Sequence, residues 1–188
     1  MSESAQDVIR YYQARGVEDP RPIKNLQKQI IALQSKREKT LNDLVATYIK
    51  RNILNSEAKK RGLNQEQLLR TGNMMVFLDR SGIDSLAYEK NIETYKELSM
   101  ICSEKQYSNP VFFVELLENN YKTNGIRNED LETAVELGQK VKNEYEKQGY
   151  KIKNIPPGSL KSRIKNILEE IGVKNLESKL EKLPEVEE

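Results

Sequence analysis

The chain has 188 residues, with 31 Lys/Arg against 29 Asp/Glu, one cysteine and no histidine. Without histidine, the Ser-His, Cys-His, zinc and helical di-iron constellations are excluded in their usual forms. The single Cys102 excludes an internal disulfide and points to a reducing compartment. The longest strictly apolar run, residues 74–78, is far too short for a bilayer, and the polar N-terminal stretch has no apolar export core, so a cytoplasmic location is expected.

Charge is unevenly placed. Residues 21–70 hold 12 Lys/Arg against 4 Asp/Glu, and residues 71–150 hold 9 against 14. Such a dipole suits docking onto an acidic partner or onto nucleic acid.

In chain order, a first helix is capped by Ser2 or Ser4, runs to Arg15 and ends at Gly16. A proline-broken link follows. Residues 22–61 are then read as one long helix, opened by Pro22 and closed by Gly62. Ile23, Leu26, Ile30 and Leu33 have the spacing of a coiled-coil seam. The seam is too short for an independent coiled coil, so packing within the monomer comes before homo-oligomerisation through those four residues. The polar stretch 34–40 is a solvated mid-section or a hairpin turn. It holds no Gly, Pro, Asn or Asp, which favours a continuous helix. Leu41, Leu44, Val45, Tyr48, Ile49 and Ile53 then form a wider stripe suited to a globular core.

Asn64 caps a short helix, with Gln67 completing a capping box and Gly72 ending it. Residues 44–69, an amphipathic helix followed by Glu57-Ala58-Lys59-Lys60-Arg61-Gly62-Leu63 and a capped short helix, resemble the helical N-terminal module of SurA-type periplasmic chaperones. They are also similar to the helical segment preceding some DsbA-like thioredoxin domains. The resemblance implies a packing geometry and peptide or client binding. The lone Cys102 does not carry over thiol oxidoreductase chemistry.

Residues 73–78 are apolar and run into the turn Asp79-Arg80-Ser81-Gly82; they are read as helix or buried loop, for want of a second strand to pair with. Asp84 or Ser85 caps a helix to about Cys102. On it Glu89, Glu93 and Glu97 fall at i, i+4 and i+8, an acidic strip facing solvent or a partner. Asn109-Pro110 is read as the start of a central buried helix carrying Val111, Phe112, Phe113, Val114, Leu116 and Leu117. Asn128 caps the next helix, whose stripe contains Gly138, a sign of close approach by another backbone. Residues 150–155 alternate loosely. After Pro156-Pro157-Gly158, Ser159 caps a helix closed by Gly172. This C-terminal piece resembles a helix-hairpin-helix DNA-binding unit in outline, with Leu160 where that family has a second glycine. The acidic tail is similar in composition to secretion signals of type IV effectors.

Together these readings predict an all-α, irregular bundle of about seven helices, with a domain at 1–155 and a small helical segment at 156–188. Neither GxGxxG nor a Walker-type phosphate loop occurs. The expected function is a non-catalytic interaction protein, an adaptor, assembly factor or chaperone-like module that binds another protein. It has no catalytic residue, cofactor or metal. The candidate partner-binding residues are Lys50, Arg51, Lys59, Lys60, Arg61, Arg70, Glu89, Glu93 and Glu97. A nucleic-acid-binding accessory protein using residues 21–70 is the second reading, and a secreted bacterial effector acting on host proteins the third. No membrane association is expected.

Overall fold

The computed structural model describes residues 4–48, 75–105, 107–117, 121, 129–173 and 180. The described elements are α1 (Ser4–Gln13), α2 (Leu26–Tyr48), a 3-10 helix η1 (Gly82–Tyr88), α3 (Ile92–Ser103), β1 (Val111–Val114), α4 (Leu131–Lys147), β2 (Ile152–Ile155) and α5 (Leu160–Glu170). Residues 1–85 and 86–188 form two compact units.

In the first unit, α1 lies on α2. Val8, Leu26 and Ile30 are its buried cluster, with Ala5, Tyr12, Ile23 and Leu33 packed around them. The four residues of the expected seam are thus used within the chain, against α1. Gly16, at φ 85, turns the chain after α1, because only glycine takes that conformation without a Cβ penalty. The start of α2 differs from the expected residue 22. Asn25 is left-handed at φ 66, so the regular helix begins one residue later, at Leu26. Helix α2 runs unbroken through the polar stretch 34–40. That stretch is not a solvated mid-section, since Gln34 and Glu38 are buried. They continue the seam at i+4 and i+8 from Ile30 and point inward for that reason. Beyond them the described part of the wider stripe holds no buried residue, and Leu44 and Tyr48 are 62% and 55% exposed. The rest of the expected long helix, with Gly62 and the capped short helix, lies outside the described residues.

The second unit overturns the all-α reading. β1 and β2 pair in parallel, Val111 opposite Ile152 and Val114 opposite Ile155, so the fold is mixed α/β. A parallel pair needs a long crossover, and α4 lies in it, giving a β-α-β unit. In place of the expected central helix at 111–117 there is a strand over Val111–Val114, and residues 115–117 carry no regular secondary structure. Val-Phe-Phe-Val is a short β-branched and aromatic run, which fits a pleated surface better than a helix. The Asn109–Pro110 bond before it is cis, and the Lys151 amide donates to Asn109 Oδ1 at 2.8 Å, tying the start of β1 to that of β2. Gly138 faces the Phe113 ring rather than another backbone, with only 3.4 Å between a built Cβ and Cζ.

The caps of this unit correct the expected boundaries. Asn91, not Asp84 or Ser85, caps α3, accepting from the Glu93 and Thr94 amides. Asp130, not Asn128, caps α4, accepting from the Thr133 amide. Ser159 caps α5 as expected, and Gly172 follows it at φ 73. Leu98, Cys102 and Ile155 are almost fully buried, so Cys102 behaves as a small core residue.

Candidate functional site

In the first unit, the apolar run ends on Asp79. Residues 75–78 carry no regular secondary structure, and Met75, Val76 and Phe77 are exposed, neither helical nor buried as expected. Asp79 and Arg80 form a bend, and Arg80 takes a left-handed φ of 63. That conformation costs a non-glycine residue roughly 1–2 kcal/mol, so surrounding contacts must hold it. Below the bend, Ser81 immediately precedes η1. Its hydroxyl accepts from the Ile83 amide at 3.1 Å, while its own amide donates to Asp84 Oδ2 at 2.9 Å. Ser81, Gly82 and Ile83 are buried, which seats the turn in the body of the unit, and Asp79 stays exposed above them.

From the other side, α2 reaches the same turn. Gln34 Nε2 donates to the Arg80 carbonyl at 3.2 Å and to Glu38 Oε1 at 3.2 Å. Gln34 Oε1 accepts from the Ser4 hydroxyl at 2.6 Å, and Ser4 Oγ accepts from Arg37 Nη1 at 3.1 Å. Arg37 also pairs with Asp7 on α1. This buried network joins both helices to the backbone immediately after Asp79.

In the second unit, the Tyr95 hydroxyl on α3 donates to Glu144 Oε2 on α4 at 2.7 Å, and Lys147 Nζ meets Glu144 Oε1 at 2.7 Å. These hydrogen bonds to the Glu144 carboxylate raise both the Tyr95 hydroxyl and the Lys147 ammonium above their ordinary values. The group is a clasp between helices. An open cavity of about 320 Å³ lies at the end of β2, lined by Lys153, Asn154, Pro156, Asn166, Glu169 and Glu170. Its Lys153 and Glu170 pair with one another at 2.6 Å.

Of the residues singled out from the sequence, Lys50, Arg51, Lys59, Lys60, Arg61 and Arg70 lie outside the described residues. The acidic strip is shorter than expected. Glu93 and Glu97 are exposed on α3, but Glu89 precedes the helix and accepts from the Asn91 amide at 2.8 Å. Among the described residues no cluster of three His, Cys, Asp or Glu side chains could hold a metal, and no helix is long and apolar enough to cross a membrane. Sequence reading passed over Asp79 and Gln34. The first was signalled by its place at the end of an apolar run, the second by a polar residue in line with a hydrophobic seam.

Residues 2–163 match the family described as AAA domain. No curated protein and no solved structure gave a match. The family match overturns the likeness to the SurA-type module, which rested on a helix–glycine–helix joint, a pattern that any two linked helices favour. It equally displaces the reading as a non-catalytic adaptor or chaperone-like module and the expectation that the chain is not an enzyme. The absence of histidine misled on that last point. Phosphoryl transfer relies on positioning and on Mg²⁺ held by a carboxylate, and needs no imidazole.

Proposed function

Because the chain belongs to the AAA domain family, we propose that it binds a nucleoside triphosphate with Mg²⁺, Asp79 being the carboxylate on the metal side. The observation that carries this is the apolar run 74–78 closing on Asp79. P-loop NTPases hold Mg²⁺ with a single acid of this kind, and the support here is one of sequence, since residues 75–78 take no regular secondary structure and Met75, Val76 and Phe77 are exposed.

The metal side fits the residues present. Mg²⁺ keeps most of its waters and takes only one or two protein carboxylates beside the phosphates, and Asp79 is exposed on an anchored turn. The phosphate side does not fit a known cradle, because the GxxxxGK[ST] pattern occurs nowhere in the 188 residues. Asp79 would hold Mg²⁺, which would supply charge neutralisation at the phosphates of a bound nucleotide.

Calorimetric titration of the purified chain with ATP, in Mg²⁺ and in EDTA, tests the reading. We expect weak, Mg²⁺-dependent binding with Kd of about 0.1–1 mM, as suits a site with no recognisable phosphate loop. Asp79→Asn should weaken it about tenfold or more, since a charged ligand is lost. Binding that ignores Mg²⁺, or none up to about 10 mM nucleotide, would overturn it.

A further inference from the structure

We propose that residues 75–78 are a self-pairing strand, through which two copies of this chain meet antiparallel about a two-fold axis at Val76. This interface goes beyond the reading of Asp79 and does not depend on it.

The run combines exposed apolar side chains with an idle backbone. Met75, Val76 and Phe77 are 54%, 39% and 55% exposed. Residues 75–78 take no regular secondary structure, and among the described residues these four make no hydrogen bond. Unpaired N–H and C=O groups beside apolar, β-capable side chains are a template for another strand. The four residues include no charge, proline or glycine to blunt that edge.

One end of the run is anchored. Directly after it, Ser81, Gly82 and Ile83 are buried, and Gln34 Nε2 holds the Arg80 carbonyl at 3.2 Å. A strand fixed at one end loses less freedom when it pairs, so less of the interaction energy goes into ordering it. Arg80, left-handed at φ 63, cannot continue an extended strand, so pairing stops at Asp79.

Charge and symmetry select the occupant and the register. A parallel, in-register partner would set Asp79 opposite Asp79, and like charges directly opposite destabilise a pair. Antiparallel pairing sends the two Asp79 carboxylates to opposite ends. Opposed residues of two strands share a face, so a two-fold axis normal to the pair passes through a residue and not between two. Centred on Val76, it sets Met75 of each copy opposite Phe77 of the other. The two most exposed side chains of the run then cover each other twice, a thioether against an aromatic ring each time. A second copy thus brings its own complement. The paired runs cover well under about 1,000 Å², so the dimer is weak and forms as concentration rises.

Sedimentation velocity of the full chain at about 5 and 500 µM tests the interface. We expect the weight-average mass to rise from that of one copy towards that of two. Val76→Lys, which sets two cations across the axis, should weaken association about tenfold or more. An equimolar mixture of Val76→Lys and Val76→Asp should regain it, because at this register the two new charges meet. On oxidation, Val76→Cys should form a cross-linked dimer, whereas Tyr11→Cys, at a 52% exposed site on α1, should not. The buried Cys102 stays silent in both. A wild type that is monomeric at 500 µM, or association that folded Val76→Lys leaves unchanged, overturns the proposal. So does a mixture of folded charge variants that stays monomeric. Should Val76→Lys fail to fold, Met75→Lys, which sets its cation against the Phe77 ring of the other copy, should lower association in the same assay, and an unchanged mass overturns the proposal equally. No metal or nucleotide is present in these measurements, so their outcome is separate from the reading of Asp79.

Discussion

Replacing Tyr95 with Phe removes one hydroxyl and leaves the ring, which isolates the clasp between α3 and α4. Glu144 accepts from Tyr95 and from Lys147 at 2.7 Å each. The Glu144 side chain is 9% exposed, whereas that of Lys147 is 62% exposed. A hydrogen bond to a charged group is worth about 1.5–3 kcal/mol, and half-burial of the tyrosine places it near 1.5 kcal/mol. The lysine pair, one turn apart on a solvated surface, is worth about 0.3–0.5 kcal/mol. Tyr95→Phe should therefore destabilise several times more than Lys147→Ala. With a urea slope of about 2 kcal/mol/M, the midpoint falls by about 0.7 M. The pH dependence has a definite sign. Both the tyrosine and the lysine have folded pKa values raised above their unfolded ones. Their contribution is fully present below the ordinary values, about pH 10, and is lost as pH rises through the folded values. Wild type and Tyr95→Phe should differ at pH 7, and the difference should shrink only once the pH has passed the ordinary tyrosine value, in urea titrations followed by circular dichroism. Equal midpoints at pH 7, or a larger loss from Lys147→Ala, would refute the reasoning.

At Gly138, two opposed effects can be separated by melting curves. Alanine gains about 1 kcal/mol of helix propensity and touches the Phe113 ring at 3.4 Å, so Gly138→Ala should be neutral or stabilising, whereas Gly138→Leu should cost about 1–3 kcal/mol by overpacking. Asn91→Ala should cost about 1 kcal/mol in chemical denaturation, because the side chain satisfies two amide groups of α3 at 3.0 Å.

Where an element's cause lies within a few residues, the sequence was legible. Ser159 as a cap and Gly16 and Gly172 as helix ends all follow from local chemistry. The sheet was not legible, because its two strands are four residues each and their partners lie 41 residues apart, Val111 with Ile152. Neither run shows a hairpin turn or a neighbouring strand, and a proline after an asparagine reads as a helix start when the following strand is unknown. The site was half visible. The apolar run and the acid after it are plain in the letters, but their length alone does not separate strand from helix. Gln34 was concealed by a sound rule with one exception: a polar stretch on a helix is usually solvated, except where a second helix and a turn supply its partners.

That exception bears on what the buried network is for. Gln34 and Glu38 sit in line with Ile30, where leucine would extend the hydrophobic seam against α1. Replacing a whole buried polar network by well-packed apolar residues is often neutral or stabilising, whereas removing one partner leaves the others desolvated and short of a bond. Gln34→Met is the second case, because Glu38 Oε1, the Arg80 carbonyl and the Ser4 hydroxyl each lose their bond to the amide. It should cost about 1–3 kcal/mol in chemical denaturation. An unchanged midpoint would show that the amide adds nothing to the hold of α2 on the turn at Arg80.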